Sequence, residues 1–136
     1  GGNRHCGASY TLQINNLTIV NATIARMRRA PLTPDAAELI ARRFRALSDP
    51  TRLRILDLLR RQEEASVGEI AAALGGSQQN VSKHLSALHA EGFVARRKRG
   101  TSALYRIADP GVHQICDGIS AGIETQLAAI EAALSG

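Results

Sequence analysis

Apolar positions in the middle of this chain recur at steps of three and four, the spacing that lines one face of a helix, and each run opens on a capping signal. Thr33 precedes Pro34, with Asp35 and Glu38 in the first turn, and Leu39, Ile40, Phe44 and Leu47 follow. Proline suits a first helical position because it has no N–H to leave unpaired, and acids there face the positive end of the helix dipole. Asp49 then precedes Pro50, and Leu53, Ile55, Leu56, Leu58 and Leu59 predict a second, mostly buried helix. Ser66 with Glu69 forms a capping box ahead of Ile70, Ala71 and Leu74, and Gly75-Gly76 stops that third helix. Ser77 caps a fourth, over about residues 77–91, with Val81, Leu85 and Leu88 on its apolar face. Two helices joined by a tight glycine turn make a helix-turn-helix pattern.

After Gly92 the period changes. Phe93-Val94-Ala95 and the run Ala103 to Ile107 predict two strands bridged by Arg96 to Ser102, a β-hairpin with a basic tip. Residues 110–134 then return to helical spacing through Val112, Ile115, Ile119, Ile123, Leu127, Ile130 and Leu134. Residues 1–33, rich in Asn, Thr and Gly around Leu17 to Val20, read as a flexible arm, with a short strand or helix docked on a partner as the alternative. Pro31 and Pro34 mark its boundary. The expected organisation is an arm over 1–33, a winged helix-turn-helix core over 34–108 and a C-terminal dimerisation helix over 109–136. The fold class is mainly α, an α+β winged helix-turn-helix of five helices and a two-stranded hairpin wing.

The fourth helix carries the chemistry. At about 100° per residue, Val81, Leu85 and Leu88 share one side, while Gln79, Ser82, Lys83 and Ser86 lie opposite and Gln78 sits at the N-terminal end. Amides can pair with adenine edges in the major groove, and Ser fits several bases. Lys83 and the helix N-terminus can hold phosphate. The cations Arg96, Arg97, Lys98 and Arg99 follow at the hairpin, placed to straddle phosphates or enter a minor groove. The expected DNA contacts are Gln78, Gln79, Ser82, Lys83, Arg97, Lys98 and Arg99.

Charge agrees with this. Residues 1–108 hold all 17 Lys and Arg against eight acids, whereas residues 109–136 hold four acids and neither Lys nor Arg. A basic body suits a polyanion. The two cysteines, Cys6 and Cys116, are too few for a disulfide framework. No apolar run approaches the roughly 20 residues that span a bilayer, and no basic-then-apolar leader opens the chain, so the expected location is cytoplasmic, away from membranes. The last helix has more apolar face than so small a domain covers, and residues 39–47 have a similar surplus. Packing both against a second copy resolves the excess, and a two-fold homodimer sets two reading helices about one DNA turn apart.

The stretch from Phe44 to Leu56, FRALSDPTRLRIL, resembles the signature segment of the ArsR/SmtB transcriptional regulators. Ser77 to Leu85, SQQNVSKHL, and Gly100 to Tyr105, GTSALY, resemble that family's recognition helix and wing. The resemblance covers roughly residues 34–120. It implies a homodimeric, usually repressing regulator of an imperfect inverted repeat in double-stranded DNA, released by an inducer. It also places base and phosphate reading on Gln78, Gln79, Ser82 and Lys83.

Sensing is where the sequence departs from the family. The thiolate metal site falls near Ser66 and Gly68, and the last-helix metal site on Gly111, Gly122 and Thr125 beside Asp109. The persulfide-sensing pair falls on Asp57 and, roughly, Cys116. None is complete. The candidates for a nonstandard site are His113, Cys116 and Asp117 with His5 and Cys6 of the arm, a donor set suited to zinc, nickel or copper. The competing reading is a surface His113 and a buried, inert Cys116. Enzymatic use of Cys116 and His113 is disfavoured, because no third orienting group accompanies them. The alternative function is a winged-helix protein- or nucleic-acid-binding module with no ligand switch.

Overall fold

The computed structural model describes residues 30–136 together with Ala22, Ala25, Arg26 and Arg28, and those four are helical. The rest of the arm, with His5 and Cys6, lies outside the described residues. The chain divides into two compact units, residues 1–40 and 41–136. The first ends in the opening turns of helix α1 (Pro34–Leu47), where Thr33 Oγ1 accepts from the Ala36 amide at 3.2 Å, as its sequence position predicted.

The second unit runs from the end of α1 through α2 (Pro50–Arg61), β1 (Ala65–Ser66), α3 (Val67–Leu74), α4 (Gln78–Ala90), β2 (Val94–Arg99), β3 (Ser102–Ile107) and α5 (Gly111–Ser135). The caps hold where the sequence put them: Asp49 accepts from the Arg52 amide, Ser66 from Glu69 and Ser77 from Asn80, at 3.1–3.2 Å. Gly75 closes α3 at φ 71, a left-handed conformation that glycine adopts without steric cost.

The core is aliphatic around two aromatic side chains, Phe93 and Tyr105. Ile55, Ile70, Leu85 and Leu88 have no exposed surface, and Val81, Phe93, Val94 and Val112 have almost none. Arg43 stacks its guanidinium 4.4 Å from the Phe93 ring, donates to the Glu91 carbonyl at 3.0 Å and pairs with Asp109 at 2.6 Å. It thereby ties the end of α1 to the exits of α4 and β3.

The two-stranded hairpin of β2 and β3 forms as expected, with one strand added and one placement different. β1 pairs antiparallel with β3, Ala65 opposite Tyr105 and Ser66 opposite Leu104, giving a three-stranded sheet of order β1-β3-β2. A two-residue strand is too short to show a period of its own. The basic residues also do not form a tip. Six cross-strand pairs run from Val94–Ile107 to Arg99–Ser102, so Arg96 to Arg99 lie within β2. Only Gly100 and Thr101 turn the chain, with Gly100 at φ 60 and no other positive φ in the turn, as a type II′ hairpin requires.

Candidate nucleic-acid interface

Helix α4 is fixed from below and open above. Val81, Leu85 and Leu88 enter the core, while Gln78, Gln79, Ser82, Lys83 and Ser86 are exposed. The helix is braced on its side by His84, which is half-buried and accepts at Nδ1 from Arg52 Nε at 3.2 Å. Arg52 also donates to the Ala46 carbonyl at 3.1 Å, so one guanidinium links α1, α2 and α4. At the other end, Gly68 leaves room beside α3 for the Gln78 amide, which lies 3.4 Å from where a Cβ would stand.

A groove of about 780 Å³ separates α4 from the wing. Gln78, Gln79 and Ser82 form one wall, and Arg96, Ala103 and Tyr105 belong to the other. The structure therefore brings together three of the sequence-expected readers and adds Arg96, which the expected contact set omitted. Lys83 stands exposed on α4 outside that lining, and Lys98 and Arg99 are exposed near the turn. Arg97 is engaged elsewhere: its Nε and Nη2 meet the two oxygens of Glu64 at 2.8 and 2.7 Å. That hydrogen-bonded pair holds the Glu64 carboxyl below its ordinary range, with Arg106 and Arg99 adding to the effect, and raises the Arg97 guanidinium. No sequence signal relates residues 33 positions apart; only sheet pairing does.

The candidate sensor residues are placed differently. His113, Cys116 and Asp117 lie on the first turns of α5 beside α2, where Leu53, Leu56, Arg60 and Ile119 help line a cavity of about 360 Å³. Asp117 is paired with Arg60 at 2.8 Å, and Arg60 also meets Asp57 at 3.3 Å. Cys116 packs against the core, and burial raises its thiol above the ordinary range, with Asp117 adding to the effect. Among the described residues no three His, Cys, Asp or Glu side chains converge as a metal site.

Comparison with known proteins agrees with the fold. A helix-turn-helix domain family matches residues 47–97. The chain is 46% identical over 72 residues to a probable mercury resistance operon repressor of Streptomyces lividans, covering 53% of this chain and 57% of that protein. It is 40% identical over 75 residues to a transcriptional repressor SmtB homolog of Synechocystis, covering 55% and 56%. It thus spans little more than half the length of these two relatives. Among solved structures, the homodimeric winged helix-turn-helix DNA-binding domain Mb0332 of Mycobacterium bovis, a possible ArsR-family transcriptional regulator, is 35% identical, with a TM-score of 0.59. That match covers 70% of this chain and 90% of the other. No described helix is long and apolar enough to cross a membrane.

Proposed function

Because the chain belongs to the ArsR/SmtB family of winged helix-turn-helix transcriptional regulators, we propose that it is a homodimeric repressor. In this reading it binds an imperfect inverted repeat in double-stranded DNA and leaves it when an inducer binds. The observation that carries the reading is the single groove shared by the amide- and hydroxyl-bearing face of α4 and a wing arginine. Gln78 and Gln79 stand at the N-terminal end of α4, the end that enters the major groove in helix-turn-helix docking. Lys83 supplies a flexible cation one turn further on, suited to phosphate.

Selection of binding sites from a random-sequence duplex pool, followed by footprinting, tests this. An imperfect inverted repeat should emerge, with half-sites about one helical turn apart. Gln79→Ala should relax discrimination at one base position by about 1–3 kcal/mol. Lys83→Ala should instead weaken all sequences alike and reduce the salt dependence by about one phosphate. Equal affinity for selected and random duplex at physiological salt would favour a binding module that reads no sequence. Release is tested on the same selected duplex, by titrating metals found in the purified protein by elemental analysis, and oxidants, against the bound complex.

A further inference from the structure

Four consecutive cations in β2 do not have one role. We propose that Arg96 is the wing cation that contacts DNA beside the reading helix, and that Arg97 is a positioning residue which anchors the wing to the segment between α2 and β1. The inference rests on the DNA-binding reading above and deepens it.

The argument begins with register. Successive residues of a strand point to opposite faces, and residues directly opposite on paired strands share a face. Arg96 stands opposite Tyr105, which stands opposite Ala65, while Lys98 stands opposite Ala103. Arg96, Lys98, Ala103 and Tyr105 therefore share one face, and three of the four line the groove with Gln78, Gln79 and Ser82. Arg97 stands opposite Leu104, itself opposite Ser66, and shares the other face with Arg99 and Arg106. Glu64, two residues before Ser66, falls on that same face, and there the ion pair forms.

Charge points the same way. The Arg97–Glu64 contact uses both carboxylate oxygens and two guanidinium nitrogens, a fork-on-fork arrangement stronger and more directional than a single contact. To meet a duplex lying along α4, Arg97 would have to break both bonds and cross the ribbon. Arg96 has no hydrogen bond or ion pair among the described residues and already borders the groove. Glu64 removes one cation's worth of repulsion from a strand carrying four, and it fixes the distance between the wing and the body.

The test measures affinity for the pool-selected duplex, and its dependence on salt, with the full chain and its variants. Arg96→Ala should weaken binding about tenfold and lower the slope of log affinity against log salt by about one. Arg97→Ala should leave that slope unchanged and weaken binding only a few-fold. Glu64→Gln should bind no more tightly than wild type, and the Glu64→Gln/Arg97→Ala double variant should be no weaker than the weaker single. Thermal unfolding of each variant separates loss of contact from loss of fold, and Arg96→Gln repeats the charge removal with the side-chain stem retained. A Glu64→Gln variant that binds more tightly with a steeper slope, or an Arg97→Ala variant that loses one unit of slope, would make Arg97 the phosphate contact and overturn the proposal. So would unchanged affinity for both Arg96 variants while wild type binds. Failure of wild type to bind any duplex would sink the functional reading itself.

Discussion

Asp49 is the residue on which the start of α2 turns. Its carboxylate accepts from the Arg52 amide at 3.1 Å, and that backbone hydrogen bond, opposed by desolvation and aided by His84, lowers its pKa from the ordinary 3.8. A depressed folded-state pKa means the folded state binds its proton less readily than the unfolded chain does. The stabilisation is then complete above the ordinary value and fades as pH falls below it, through the lower folded value. Asparagine caps about as well as aspartate but has no charge to lose. Asp49→Asn should therefore leave stability near neutrality almost unchanged and flatten its decline in acid. Urea unfolding across the acid range checks this; an equally steep decline in the variant would show that Asp49 contributes nothing to it. The caps at Asp49, Ser66 and Ser77 were all legible in the sequence, because a cap satisfies amides within its own first turn. Arg96 and Arg97 were not separable there. Side by side in the chain, they differ only through Glu64, which sheet pairing brings to one of them.

At the scale of elements, helix α4 divides cleanly into a buried face that holds it and an exposed polar face, the one proposed to read DNA. Leu85 has no exposed surface, and Val81 and Leu88 flank it in the core. Leu85→Ala should cost about 2–5 kcal/mol, from lost transfer energy and the cavity left behind. Lys83→Ala, on the exposed face, should change stability by no more than about 0.5 kcal/mol. Denaturant unfolding of the two variants measures the contrast, and similar losses would mean the helix is rotated from its described orientation. Periodicity predicted this helix because both faces repeat within it. The wing is less legible in the sequence. Apolar alternation ends at Ala95, so the expected strand stopped there, yet β2 continues to Arg99. Its last residues carry cations and are held by backbone pairing with β3 rather than by any burial of their own. The strand at Ala65–Ser66 has no sequence signal for a related reason, since two residues of extended chain become a strand only when β3 lies beside them.

For the whole molecule, α5 dominates. It runs 25 residues, and only Val112 of its apolar series is buried. Ile115, Ile119, Ile123, Leu127, Ile130 and Leu134 stay exposed at steps of four, four, four, three and four, a continuous stripe along one side. Leu39, Ile40 and Phe44 of α1 are exposed as well. A continuous apolar stripe such as that of α5 is characteristic of an interaction surface, and the homodimeric domain from Mycobacterium bovis supports a second copy as the occupant. Replacing Ile119 and Ile123 together by glutamate should convert a dimer to a monomer in sedimentation. It should also weaken binding to an inverted repeat far more than binding to a single half-site. A double variant that remains dimeric would place the subunit contact elsewhere.

What this sequence determines by itself is local. Helix starts and stops, the inward and outward sides of α4, and the surplus apolar length of α5 follow from caps, glycines and a period of 3.6, each settled within a few residues. What tertiary structure alone decides is pairing between distant segments. Whether a cation of β2 meets the groove or a carboxylate depends on the register of β2 with β3 and of β3 with β1. A shift of one residue in that register would exchange the two faces. The same chain order would then offer Arg97 to the groove and Arg96 to Glu64, so the assignment of these two arginines is a property of the sheet rather than of the run Arg96-Arg97-Lys98-Arg99.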